Sequence, residues 1–411
     1  MNCDPNTLSK AASCLFCGLS DYQLNLARIR TLCAWLGVAG GHAPGAPTNP
    51  DITDASQDVN VVVTWTNPSP AATTNEVWRS VDGGTNYFLF TTVAGNVSQA
   101  ADNSIIPNNT IYYYKIRSCS GASCSAFTNP VGISNNFVSP NVASISFPFL
   151  VRAANAFTAS GLAALTSVSL PKLRTVQNNF DLSNNTNLAS ISLPVLNFVG
   201  FALFLGSDKI TGAFSLPALT TIGGDFQIQN NILMTSFSVP LLTSVGGNLV
   251  MSGLAALTSV TLTSLNDVGV GFANGRLDFQ NDDALASISF PALTQVFSEI
   301  DFNGCAILTS IQLPNLTNIT GDNIFIVSGS TCPLLTTWNA PNWFVSDSFS
   351  IDLSANALNA ASVNQVLARG VASGVLSCQF TLNGGTNAAP SGQGIVDKAA
   401  LIVAGNTVNT N

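Results

Sequence analysis

The sequence predicts a mainly β protein: a small N-terminal helical module, a β-sandwich, then a stacked-coil solenoid closed by an α/β C-terminal cap. Three observations carry that prediction. A marker proline stands at Pro148, Pro171, Pro194, Pro217 and Pro240, is replaced by Thr263, and returns at Pro291, Pro314 and Pro341. The steps are 23, 23, 23, 23, 23, 28, 23 and 27 residues, and a fixed period of this length marks stacked repeats rather than independent strands. Upstream of the repeats the pattern changes to short alternating runs, and before those to apolar residues at helical spacing.

Composition sets the outer limits. The chain has 411 residues, of which 46% are hydrophobic and only 8% charged, with a net charge of −8. Neutral polar residues must therefore cover much of the surface, which suits an extracellular or particle-bound structural protein. The 13 Lys and Arg are scattered, with no basic stripe to track a phosphate backbone, so nucleic acid is excluded as a partner. No apolar run approaches the ~18 residues of a membrane span. Met1 to Pro5 carries no basic and apolar signal pattern. That leaves two readings: a signal already removed, or release without one, as for virion proteins freed by lysis.

Residues 1–38 read as a helical, cysteine-containing anchor. Asp4-Pro5-Asn6 marks a start, followed by Leu8, Ala12 and Leu15. A second helix carries Leu24, Ala27, Ile29, Leu32, Trp35 and Leu36. So short a hairpin has little core and is expected to dock on its own chain, another copy or a larger assembly. Cys3, Cys14, Cys17 and Cys33 leave three states open: disulfides, buried thiols, or one structural zinc. Residues 39–46 form a Gly/Pro linker holding His42, the single histidine. Its setting argues against Ser-His-Asp or Cys-His catalysis.

Residues 47–139 hold about seven short strands. Val61 to Trp65 is one, Asn75 to Ser80 another, and Ile111 to Arg117 alternates Tyr112, Tyr114 and Ile116 against Tyr113, Lys115 and Arg117. Cys119 and Cys124 face each other across the Ser120–Ser123 turn, where a short hairpin meets disulfide geometry; a metal or redox pair is the alternative. The Trp65 strand, the Tyr-x-Tyr-x-Ile strand and the closing Ala126 to Ile133 run resemble a fibronectin type III domain. That resemblance implies a spacer or binding module.

Residues 140–356 form the solenoid. In the coil from Leu165 to Leu188 the inward residues are Leu165, Val168, Leu170, Leu173, Val176, Phe180, Leu182 and Leu188. Alternation around Val168 and Phe180 predicts two strands per coil, each pairing with its copy in the next. Asn184-Asn185, Asn230-Asn231 and Asn281 recur at a corner, where Asn adopts the left-handed turn conformation. Leu219 to Asn231 and Leu242 to Ser252 are similar to leucine-rich repeats of the receptor L-domain-like and bacterial surface-protein kinds. Such repeats imply a face for proteins or glycans.

Two rows of Ser and Thr, including Ser144, Ser167, Ser190 and Ser146, Ser169, Ser192, point outward from the first strand as an uncharged ladder. The second strand's outward row runs Thr158, Asp181, Phe204, Gln227, Val250, Asp278 and Asp301, with Phe325 one residue out of register. Phe204, Gln227, Val250, Asp278, Asp301 and Phe325 are the candidate ligand or partner face; a covering loop or subunit is the other reading. Asp278 and Asp301 stand on successive coils about 4.8 Å apart. They admit a retaining-glycosidase pair, a calcium site with Asp282 and Asp283, or solvated carboxylates. The 28- and 27-residue steps insert loops, the places where repeat proteins put function.

Residues 357–411 abandon the repeat for a helix, a strand and a second helix, an α/β cap over the open end. Gly384 to Gly394 is similar to a C-terminal segment of bacteriophage and bacterial surface proteins. No Walker loop, dinucleotide fingerprint or His-rich motif appears, and no cofactor is expected. The sum is a non-enzymatic virion structural protein, a fibre, spike or decoration component, mediating host attachment through its solenoid. Its expected partners are other virion proteins at the N-terminal module, a host surface glycan or protein, and further copies of itself. A secreted bacterial adhesin and a polysaccharide-degrading tailspike are the rival readings.

Overall fold

The computed structural model describes residues 43–56, 60–67, 72–104, 110–134, 137–138, 142–271, 275–319, 332–344 and 347–411. The helical anchor with Cys3, Cys14, Cys17 and Cys33, His42 and Phe325 lie outside the described residues. The chain is mainly β, with two helices among the described residues.

Eight strands open the fold: β1 (Thr48–Ser56), β2 (Asn60–Thr66), β3 (Thr74–Ser80), β4 (Phe88–Ala94), β5 (Gln99–Asp102), β6 (Ile111–Ser120), β7 (Ser123–Cys124) and β8 (Val131–Ser134). One sheet is ordered β1-β2-β5, and the second runs β4-β3-β6-β8 with β7 folded back on β6. Alternation in sequence becomes a two-sheet core, because every second side chain of a strand faces the same way. Val61, Val63 and Trp65 of β2 meet Val77 of β3 and Tyr112, Tyr114 and Ile116 of β6. The Tyr114 hydroxyl keeps a partner inside this core, donating to Asp102 Oδ2 at 2.7 Å. Asp102 is fully buried and takes Arg79 Nη1 at 2.7 Å as well. Burial alone raises its carboxyl, but the bonds from Ser104, Tyr114 and Arg79 outweigh that and hold it below the usual carboxylate range.

Downstream, the coils between Ser144 and Asp301 carry three strands each, not the expected two. In one coil they are Ser167–Ser169, Thr175–Val176 and Phe180–Asp181. The middle strand has a single inward residue, Val176, too short a run to show alternation. Each strand pairs in parallel with its counterpart one repeat on: Val168 with Ile191, Val176 with Val199, Phe180 with Leu203. Leu170, Leu193 and Leu216 are 0%, 2% and 0% exposed and belong to one continuous apolar core. The eight inward residues read from the Leu165 coil all belong to it. Thr ladders add to the stacking. Thr166, Thr258 and Thr309 Oγ1 donate to the carbonyls of Ala143, Thr235 and Ala286, one coil earlier, at 2.9, 2.9 and 3.0 Å.

Glycine is forced at one corner of the stack. A Cβ on Gly200, Gly223 or Gly246 would lie 2.0–2.2 Å from a carbonyl oxygen of the preceding coil, closer than any side chain tolerates.

The sandwich and the solenoid are one structure. β8 pairs in parallel with Leu150–Ala153 of the first coil, so the sandwich's second sheet continues coil by coil into a 13-stranded sheet. The cores interlock accordingly. Ile111 and Tyr113 of β6 belong to the solenoid core, and Val151 of the first coil belongs to the sandwich core. An ion pair between Asp51 of β1 and Arg174 crosses the junction.

At the far end, helices replace two of the three strands per coil. Helix α1 (Ala360–Ser373) is capped by the Asn359 side chain and ended by Gly374 at a left-handed φ of 66°. It buries Val363, Val366, Leu367 and Gly370 at helical spacing. Helix α2 (Gln393–Val403) packs beside it. Ser350–Asp352, Gln379–Leu382 and Thr407–Thr410 form a parallel three-stranded sheet. The last of these is a strand beyond the helix, strand and helix that the sequence predicts for the cap.

Candidate functional site

The outward row of the third strand is the expected partner face, and the structure divides it. Phe204 and Gln227 are half-buried, and Phe201 nearby is 45% exposed. Val250 and Asp278 are not exposed: they retain 4% and 2% of their surface. The two are register partners, on the coils either side of the 28-residue step. There Gly271 N donates to Gly246 O at 3.0 Å, folding the insertion back on the preceding coil. The chain then returns through Arg276, which pairs with Asp278 Oδ2 and lies 3.7 Å from Glu299.

Asp278 and Asp301 are adjacent in register, yet each is committed. Asp301 accepts Gln280 Nε2 at 2.7 Å and Asn303 N at 2.9 Å. Burial pushes Asp278 up to about 6, with Arg276 opposing and Asp301 and Glu299 adding. Burial likewise raises Glu299 and Asp301. With Arg276 against one carboxyl, Gln280 against the other and Asp278 shut off from solvent, the pair lacks the open face on which a glycosidic bond is flanked. Nor do these acids gather with Asp282 and Asp283 as calcium ligands. Among the described residues, the only three such groups within 4.8 Å of one another are Glu76, Cys119 and Cys124. Cys119 and Cys124 are joined by a disulfide across β6 and β7, so their sulfurs are spent on each other.

Outside the sandwich, Lys115 lies over Tyr87 and Phe127 at 4.1 and 4.2 Å, and Arg117 over Trp78 and Phe127 at 5.3 and 4.8 Å. Arg117 also bonds Glu76 at 2.8 Å. These aromatic rings carry the chain's own cations. The serine rows do face outward, as at Ser144, Ser146, Ser190 and Ser192. They lie on three three-stranded sheets stacked along the solenoid.

One functional row escaped the sequence reading. Five residues beyond the start of each third strand stand Asn185, Asp208, Asn231, Leu254, Asp282 and Cys305, and Cys332 continues the row on the next coil. All seven are buried. Asn185 Nδ2 donates to the carbonyls of Ala159 and Leu182 at 2.7 and 2.6 Å, and its Oδ1 accepts Leu162 N at 2.8 Å. Cys305 Sγ donates to Phe279 O, and Cys332 Sγ accepts Cys305 N, both at 3.1 Å. The polar side chains differ, but their job is shared: each joins its own corner to the coil before, while Leu254 fills the row as an apolar core residue. The corner residues of the sequence reading split accordingly. Asn184 and Asn230 are the left-handed turns, with φ of 60° and 56°, and Asn185 and Asn231 are the buried struts.

No protein-family model and no curated protein matches the chain. Among solved structures, it is similar to titin kinase with its flanking domains (17% identity, 22% of this chain and 16% of that one, TM-score 0.20). It is also similar to a two-domain fibronectin type III segment of chicken tenascin (21% identity, 22% and 48%, TM-score 0.19). A third match is an Fn3-like protein from Clostridium thermocellum (25% identity, 22% and 91%, TM-score 0.20). The chain thus spans less than half the length of the titin and tenascin structures. What its strand pairings define is a two-sheet β-sandwich fused to a β-solenoid.

Proposed function

We propose that this chain is a non-enzymatic structural protein of a bacteriophage particle, a fibre, spike or decoration component that attaches the particle to its host. In this reading the sandwich is a fibronectin type III module and the coils are leucine-rich repeats. The supporting observation is the shared sheet. A sandwich and a solenoid joined by strand pairing make one stiff body, able to hold a repeated surface away from whatever anchors residues 1–38. Outward residues then recur about every 4.8 Å, and weak contacts made by many copies gain from high local concentration. Half-buried Phe204 with exposed Phe201 is the best-placed apolar contact on that body. Saturating host cells with purified protein should block adsorption of the native particle, and antibody against the chain should label that particle. Unlabelled particles with undiminished adsorption refute the reading.

The Cys119–Cys124 disulfide favours a second reading, a secreted adhesin, because such bridges persist in oxidising surroundings. An export signal encoded upstream, with the chain found on the producing cell, would select it.

A further inference from the structure

We propose that Asp208 and Asp282 are neutral carboxylic acids in the folded solenoid, making the coil stack a proton-dependent device that tightens as the medium acidifies. The argument starts from their places in the buried row. Asp208 Oδ1 accepts Asn185 N at 2.7 Å, and Asp282 Oδ1 accepts Leu254 N at 2.8 Å, the bond that Asn185 Oδ1 makes to Leu162. The other oxygen, Oδ2, is sealed from solvent in both residues and has no hydrogen-bond partner. In Asn185 and Asn231 the second arm is an amide that donates to main-chain carbonyls: Ala159 and Leu182 for one, Leu205 and Gln229 for the other. The repeat therefore presents carbonyl oxygens where Asp places Oδ2. A carboxylate there sets lone pair against lone pair, whereas a carboxylic acid supplies the missing O–H donor.

The charges around both sites favour the same form. Asp181 acts on Asp208 from the coil before. Asp278 and Asp283 act on Asp282, and the Cys305 thiol stands on the next coil. Arg276, the nearby cation, is taken up by Asp278 and Glu299. Burial pushes each carboxyl up to about 7, the single backbone bond opposing and the neighbouring acids adding. The folded value thus lies above the ordinary 3.8. Stability from each site is complete below that ordinary value and is lost as pH rises towards about 7. Across that window each site changes the unfolding constant by up to tenfold per pH unit.

The test uses the full chain, wild type and Asp208→Asn/Asp282→Asn, because Asn supplies the donor at every pH. Urea midpoints followed from pH 4 to 8 should fall for the wild type through this window, with the double variant's slope shallower by up to two protons. Infrared spectra of the wild type near pH 5 should show the carbonyl stretch of protonated, exchange-protected carboxylic acid, weaker by two groups in the double variant, where Asp278 still contributes. Parallel pH slopes in the two proteins, or no protonated-acid band in the wild type, overturn the proposal. If the variant misfolds, the wild-type spectrum alone decides: acid signal that survives above about pH 6, where Asp278 ionises, belongs to Asp208 and Asp282, and its loss there overturns the proposal.

Discussion

Asn185→Ala is the sharpest perturbation of the coil stack. Asn185 is completely buried and makes three strong contacts: two donated by Nδ2, to Ala159 O and Leu182 O, and one accepted by Oδ1 from Leu162 N. Alanine leaves three main-chain groups without these partners, each costing about 1–3 kcal/mol when water cannot replace the bond. Asn184 and Asn187 at the same corner are exposed, so water reaches part of the site and a total of about 3–6 kcal/mol is expected. That is a large share of the ~5–15 kcal/mol that holds a typical domain folded. Urea unfolding followed by circular dichroism reads the loss, and amide exchange locates it in the flanking coils. Asn187→Ala is the control, since it removes one exposed bond, to Ala163 O at 2.8 Å, and should cost under ~1 kcal/mol. Equal effects from the two substitutions would refute the strut role of the buried row.

Gly223→Ala should abolish folding or insert a defect of several coils, because its Cβ would meet Gly200 O at 2.2 Å; native yield and exchange protection check this. Asp102→Ala removes the buried partner of both Arg79 and Tyr114 and should cost about 3–5 kcal/mol by denaturant unfolding. Arg276→Gln should destabilise more at pH 8 than at pH 5. Asp278 loses its counter-charge, and with its value already raised to about 6 it escapes the penalty by protonation only in acid, so melts at the two pH values decide. Fragments 43–139 and 142–411, expressed apart, should each be less soluble than the whole, since each exposes an unpaired sheet edge and apolar residues that the other covers.

The apolar columns were legible because chemistry repeats with position: Leu170, Leu193 and Leu216 announce their own register. The buried strut row was not, because Asn, Asp and Cys share a role without sharing a class, and Leu254 interrupts them. Only counting the period forward from Asn185 brings Asp208 and Cys305 into line with it. The middle strand of each coil hid for a different reason, two residues being too few to alternate. Val250 and Asp278 were read as exposed from the strand's parity, which fixes the face a side chain points to but not how much of it stays in contact with solvent. The Asp278–Asp301 adjacency was legible; Arg276 and Gln280 binding those acids was not, since both contacts depend on how the returning chain is seated.

The junction between sandwich and solenoid is where sequence reasoning reached its physical limit, and it governs the mechanical behaviour of the molecule. Read residue by residue, the change of pattern after residue 139 marks a change of module, and the usual expectation for modules in series is relative motion. Strand pairing reverses that expectation. Bending between β8 and Leu150–Ala153 would break ladder bonds and pull Tyr113 and Val151 out of cores to which each is foreign by sequence. Neither residue would be needed where it stands if the modules were free to swing. The sandwich is therefore the lid on the solenoid's first coil, serving at that end the purpose that α1 and α2 serve at the other. A load applied at the sandwich is carried along the 13-stranded sheet before any hinge can absorb it.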